Sequence, residues 1–179
     1  MSIEKDIVSR AIKGDGAAFA QLYEEHFDRI YRYIYLKVGN RTEAEDLTQE
    51  VFVKALEAIT TYKWRNLPFN SWLFRIAHNL VVDYFRKQGK VEKVALDNDI
   101  VLPSKSNPAL TAELALEIEA LTKDIENLSP AQREVILLRF SAELSTAEVA
   151  SLLAKSTGTV KALQHNAIVA LRKMSSSDK

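Results

Sequence analysis

Residues 146–173 read TAEVASLLAKSTGTVKALQHNAIVALRK, and this stretch decides the architecture. Val149 and Leu153 lie one helical turn apart, and Val160 and Leu163 repeat the spacing in a second helix, so each half offers an apolar stripe to the other. Ala150 is small enough to let the two helices cross closely. Ser156 stands where a cap opens the second helix. The polar start of that helix carries Ser156, Thr157, Thr159, Lys161, Gln164 and His165, with Thr159, Lys161, Gln164 and His165 predicted to face outward. A helix-turn-helix uses this geometry to set the first turns of its second helix against base edges in the major groove. The same spacing would serve an ordinary helical hairpin. The basic excess and the capped polar start favour DNA reading.

That basic excess is local. The 179 residues sum to no net charge, yet 61–93 carries seven basic and two acidic residues, 94–128 two basic and seven acidic, and 155–174 four basic and none acidic. Phosphate binding depends on such local fields rather than on the total. The chain has no cysteine, which removes disulfides and thiolate metal sites and suits a reducing compartment. No apolar run is long enough to span a membrane, and MSIEKDIVSR at the start lacks the apolar core of a signal peptide, so a cytoplasmic protein without membrane insertion is expected.

Upstream, helical periodicity continues. Phe19, Leu22, Tyr23, Phe27, Ile30 and Ile34 predict a helix over about 17–38. Gly39-Asn40 should end it. Thr42-Glu43-Ala44-Glu45 reads as a capping box for a helix to about residue 59, with Leu47, Val51 and Ala55 on its inner face. A loop, KWRNLP, precedes a third helix over 69–87. Residues 89–108 have weak periodicity and two prolines and read as a flexible linker. Helices resume over 109–127. Ser129-Pro130, a serine cap followed by proline at the first helical position, starts the set 130–140, 145–154 and 157–174. The predicted fold is all-α: two small helical domains, 1–88 and 109–179, joined by linker 89–108, the second a helix-turn-helix domain.

Two further surfaces stand out. Helix 42–59 carries Asp46, Gln49 and Glu50 on one side, with Val53 and Glu57 continuing the stripe; alone, it would read equally as a solvated face. Helix 69–87 directs Phe69, Trp72, Leu73, Ile76 and Leu80 inward and Arg75, Asn79, Asp83 and Arg86 to another side. Seven of the fifteen aromatic residues fall between Tyr62 and Phe85, interleaved with Lys63, Arg65 and Arg75. Rings beside cations are what holding a single strand requires. Trp72 and Phe74 read as core, and Trp64, in the loop, as the exposed ring. His26, His78 and His165 are scattered, and no metal spacing, phosphate loop or nucleophile–base pair appears, so neither active site, metal nor cofactor is expected.

These segments together resemble the extracytoplasmic-function sigma factors of bacterial RNA polymerase. AEDLTQEVFVKA (44–55) is similar to the family's polymerase-binding segment, FNSWLFRIAHNLVVDYFRK (69–87) to its minus-10 reading and melting segment, and LSPAQREVILLRF (128–140) with the helix-turn-helix to its minus-35 reading domain. The resemblance implies a non-enzymatic factor, monomeric when free, that directs promoter-specific initiation. Asp46, Gln49, Glu50 and Val53 would bind the clamp coiled coil of the largest polymerase subunit. The loop 63–71, with Lys63, Trp64 and Arg65, and Asn79 with Asp83 would take extruded bases of the non-template strand. Arg75, Arg86 and Lys87 would hold phosphates, the acidic linker would run through polymerase, and the second domain would meet the flap and duplex DNA. An anti-sigma partner is also implied. The sequence departs from the family where Ala154-Lys155 replaces glycine and an aliphatic at the turn, and where Leu163 and Asn166 stand at positions that often hold arginine. Two other classes share parts of the pattern. A signal-responsive regulator would need the helix-turn-helix but not the 42–87 motifs, and a nucleic-acid-processing enzyme would need a carboxylate or metal constellation.

Overall fold

The computed structural model describes residues 2–64, 67–89, 122–123, 125 and 127–177. The expectations for Arg65 and for the linker beyond Gly89 lie outside these residues. Of the predicted helix 109–127, Thr122, Lys123, Ile125 and Asn127 are described; the first three are helical and Asn127 is in a turn.

Every regular element among the described residues is helical. α1 (Ile3–Ile12) is followed by α2 (Gly16–Val38), which Asp15 caps by accepting from the amides of Ala17 and Ala18 at 3.0 and 3.1 Å. α2 stops at Gly39, whose φ of 72° is the left-handed conformation that costs glycine nothing, and its N–H returns to the Tyr35 carbonyl. α3 (Arg41–Ala58) begins immediately, and here the expected Thr42–Glu45 capping box is overturned. The cap is Asn40, whose side-chain oxygen accepts from Glu43 N at 3.1 Å, while Glu45 pairs with Arg41 at 2.8 Å. The tight turn at Gly39 leaves Asn40 extended at the helix mouth, so the helix starts before Thr42 can cap it. A 3-10 turn over Ile59–Thr61 and a short loop lead to α4 (Phe69–Lys87).

α2 is the central strut. Its buried residues, from Leu22 through His26 and Ile30 to Tyr33, Ile34 and Leu36, cover more than one face because α1, α3 and α4 surround it. Tyr33, Phe69 and Phe74 are the largest fully buried side chains. Burying each contributes about 1.5–3 kcal/mol relative to solvent exposure.

The second module starts at α5 (Pro130–Ile136), where Ser129 and Gln132 form a capping box ahead of Pro130. Buried Arg133 reaches back to the carbonyls of Ile125 and Leu128, both at 3.3 Å, satisfying the open end of the preceding helix. The predicted helix 130–140 is not α throughout: Leu137–Ser141 is a π-turn, closed by Ala142 N to Leu137 O at 3.1 Å. α6 (Thr146–Leu153) opens on a Ser145–Glu148 capping box, and α7 (Thr157–Ser177) opens on Ser156, which accepts from Thr159 N at 3.1 Å. Between them Ala154 is left-handed, φ 53° and ψ 42°, at the position where the sequence lacks a glycine.

The two modules are docked. α5, the π-turn and α6 lie against α2 and α4 through Tyr33, Lys37, Asn70, Ser71, Arg75 and His78 on one side and Glu134, Ala142, Glu148 and Ser151 on the other.

Candidate polymerase and nucleic-acid interfaces

On α3 the inner face (Ala44, Leu47, Thr48, Val51, Phe52, Ala55) is buried, which turns Asp46, Gln49, Glu50 and Val53 to solvent. Gln49 donates to the Tyr23 hydroxyl at 3.0 Å, and Glu50 lies 3.8 Å from Lys54. Val53 and Leu56 are each 54% exposed, making an apolar ridge within an acidic face. Leu56 was not singled out from sequence, although its spacing of three from Val53 carried the signal.

The loop before α4 is built around Tyr62, which sequence reasoning passed over. Tyr62 is buried, donates to the Leu67 carbonyl at 2.6 Å, and has Trp64, Phe69 and Trp72 with ring centroids within 6.2 Å. Burial pushes its phenol well above the usual range, so it stays a neutral donor. Trp64 is not the freely exposed ring that was expected. It is half-buried, edge-on to Tyr62, with Lys5 Nζ 6.0 Å from its ring centroid, because α1 supplies a surface to pack on. A cleft of about 420 Å³ is lined by Thr61, Tyr62, Lys63, Leu67, Trp72, Arg75 and Ser151, so Trp72 rather than Trp64 is its indole wall.

From that cleft Arg75, Asn79, Asp83 and Arg86 run down α4 on one exposed stripe, roughly 17 Å long at 1.5 Å per residue. Lys87 is exposed at its end, and Asp83 pairs with Arg86 at 3.1 Å. Asn79 sits seven residues beyond Trp72, about 10 Å along the axis. The indole and the amide therefore belong to successive parts of a track, not to one pocket.

On α7, Val160 and Ala167 are buried, and Thr157, Thr159, Lys161 and His165 are exposed, with Ser156 exposed at the cap. Gln164 departs from the expectation that it faces outward. It is half-buried and accepts from Arg139 Nε at 3.0 Å, since it lies on the side of α7 turned to the π-turn. The exposed surface also includes Ala162 and Asn166, which lie four residues apart on one face of the helix. No group of three or more His, Asp or Glu side chains among the described residues could hold a metal, and no helix among them is long and apolar enough to cross a membrane.

An all-helical pair of modules, the second a helix-turn-helix and the first carrying an aromatic-walled cleft beside a cationic helix, defines a DNA-binding protein. Residues 22–91 match the family model for sigma-70 region 2 and residues 125–173 that for sigma-70 region 4. The chain is 37% identical over 177 residues to the ECF RNA polymerase sigma factor BldN of Streptomyces coelicolor, covering 97% of this chain and 66% of that protein. It is 35% identical over 187 residues to the ECF RNA polymerase sigma factor SigW of Bacillus subtilis, covering 97% of this chain and 96% of SigW. In fold it is similar to the sigma factor RpoE solved in complex with the anti-sigma factor NepR from Bartonella quintana, at a TM-score of 0.67 and 24% identity, over 90% of this chain and 98% of that one. The chain belongs to the extracytoplasmic-function sigma factors of RNA polymerase, non-enzymatic factors of promoter-specific transcription initiation.

Proposed function

We propose that the chain divides promoter reading between its modules, 1–88 for polymerase docking and the minus-10 element and 109–179 for the minus-35 element, with 89–108 as the tether. The acidic face of α3, Asp46, Gln49, Glu50 and Val53 with Leu56, docks on the basic clamp coiled coil of the largest polymerase subunit. An apolar ridge among carboxylates suits a partner that is both cationic and amphipathic. Lys63, Arg65 and Trp72 receive the unpaired strand, with Tyr62 and Trp64 bracing the wall. Arg75, Asn79, Asp83, Arg86 and Lys87 carry the strand along α4, the cations on phosphates and the amide and carboxylate on base edges. Ser156, Thr157, Thr159, Lys161, His165 and Asn166 meet the duplex, with Gln164 acting through its bond to Arg139. The flap is the second polymerase contact and an anti-sigma protein the regulatory one. The factor acts in the cytoplasm as a monomer, gaining avidity on polymerase because both elements are held by one chain.

The observation that carries this reading is the α4 stripe leading out of an aromatic-walled, cationic cleft. Base stacking on such walls is worth about 1–3 kcal/mol, comparable to the cost of extruding a base. Holoenzyme carrying Trp72→Leu or Asn79→Ala should bind duplex promoter but open it poorly, and a pre-melted template should restore runoff transcription. Permanganate reactivity of unpaired thymines measures opening directly. Parent-like reactivity in both variants would overturn the assignment.

A further inference from the structure

Three of the five glycines, Gly14, Gly39 and Gly89, hold left-handed φ angles of 90°, 72° and 69°, where a side chain is strained. Gly16 and Gly158 do not. Each lies in the first turn of a helix, α2 and α7 respectively, with a backbone outside the left-handed region.

Crowding does not explain Gly158 either. Among the described residues, a Cβ built on it would meet only Ser156 Oγ, at 3.8 Å, an ordinary van der Waals distance. Glycine is a poor helix former, because it loses more backbone freedom on folding than any other residue. Folding of the chain therefore gains nothing from this glycine and is slightly weakened by it.

Its place on α7 gives the glycine a use. Val160 and Ala167 are fully buried and mark the inner side of the helix. At about 100° per residue, Gly158 lies about 160° round the axis from Val160, on the outermost line. Lys161 and His165 are exposed on the same outward side, within about 60° of it. Thr157 and Thr159 lie about 100° to either side. The Thr159 hydroxyl is engaged with the cap, its Oγ1 bonding Ser156 Oγ at 2.8 Å. The front of the first turn is thus the bare Cα of Gly158.

A helix-turn-helix sets the first turns of its second helix in the major groove. The outermost residue of such a turn comes nearest the groove floor. A Cβ there would hold the helix off by about 1.5 Å, one carbon–carbon bond. Hydrogen bonds from flanking side chains to base edges do not survive a stretch of that size.

We propose that Gly158 sets the depth of duplex recognition: its missing side chain lets α7 seat against the edges of the minus-35 base pairs, at a cost in helix stability that binding offsets. This role rests on the reading of α7 given above.

The test begins with parent holoenzyme selecting its best duplex from a library randomised over both promoter elements. Discrimination is then the affinity for that duplex relative to one with a scrambled minus-35 window. Gly158→Ala should lose at least about fivefold of it, and Gly158→Val at least about thirtyfold. The free Gly158→Ala chain should nevertheless melt about 1–4 °C higher than the parent, a gain that damage to the fold would not give. Gly16→Ala, the same exchange in the first turn of α2, should also melt higher and keep the parent's discrimination.

Lys161→Ala separates this role from the reading beneath it. Should Lys161→Ala lose discrimination while both Gly158 variants keep it, the depth-setting role is overturned and α7 remains the reading helix. Should all three keep it, the reading of α7 falls as well. A lower melting temperature in Gly158→Ala would show that the glycine serves folding, and an equal loss of discrimination in Gly16→Ala would show that its position on α7 is immaterial. Either result overturns the proposal.

Discussion

Fourteen of the fifteen aromatic residues lie at or before Phe85, and the C-terminal module has Phe140 alone, 54% exposed. The N-terminal module is built around rings: Tyr33, Phe69 and Phe74 sit in its centre, and Tyr23 and Phe27 pack on Phe52 across the contact of α2 with α3, Tyr23 edge-on and Phe27 stacked. The core of the C-terminal module is wholly aliphatic, with Val135, Leu137, Leu138, Leu144, Val149 and Val160 fully or almost fully buried. Each aromatic ring buries about 150–250 Å², so the two modules differ in how much of their stability comes from bulk burial. The smaller one has local devices: two capping boxes, buried Arg133, a π-turn, and, among the described residues, the two non-glycine residues with positive φ, Glu143 and Ala154. Ring burial gives the first module a large packed core.

The contrast can be broken from the aromatic side first. Phe74→Ala removes a fully buried ring at the centre of α4, and a loss of about 3–5 kcal/mol is expected. Trp64 and Trp72 are both in this module, so tryptophan fluorescence during urea unfolding reports it specifically. A loss below about 1 kcal/mol would mean that the ring-filled core is not what holds the module together.

Acid provides the next largest effect. Burial pushes the pKa of His26 down to about 4, with repulsion from Arg29 adding to it. The unfolded chain takes up that proton near pH 6.5 and the folded chain only near 4. The contribution of the neutral ring is thus fully present above 6.5 and is lost as pH falls toward 4, at about 1.4 kcal/mol per unit. Between pH 7 and 4.5 the parent should lose roughly 2–3 kcal/mol more stability than His26→Gln. Parallel pH profiles would rule out His26 as the source. Glu134 acts in a lower window. Its carboxyl is desolvated, which raises it, but Lys37 and His78 outweigh this and hold it well below the usual range, so its contribution begins to fall only below about pH 4.5.

Two smaller changes sharpen the account of the C-terminal module. Ser145→Ala removes the oxygen that accepts from Glu148 N at 3.2 Å and should cost about 1 kcal/mol, seen as roughly fivefold faster amide exchange confined to α6. Ala154→Gly relieves the left-handed alanine at the turn and should add about 0.5–1 kcal/mol, raising the melting temperature without altering the N-terminal module. A destabilising Ala154→Gly would show that this backbone is not strained.

Much of this fold was written in local sequence. The extents of α2 and α4, the stop at Gly39, the Ser129-Pro130 start and the Ser156 cap all follow from residues within a few positions of one another, because helix periodicity and capping act over one or two turns. What sequence did not disclose depends on partners distant in the chain. The ten residues of α1 are too few to stand as a helix in isolation and are helical because Ile7, Val8 and Ala11 are buried against the core. Trp64 lost its exposure to α1, and Gln164 was turned inward by Arg139, a contact spanning 25 positions. The deciding case is Glu134. Within its own helix it is one more polar residue after a serine cap, and its charge acquires a structural role only because folding sets it against Lys37, Tyr33 and His78 from the far end of the chain. Local chemistry fixed the helices and the family; burial of one carboxylate between two modules, a consequence of tertiary packing alone, decided how they rest on each other.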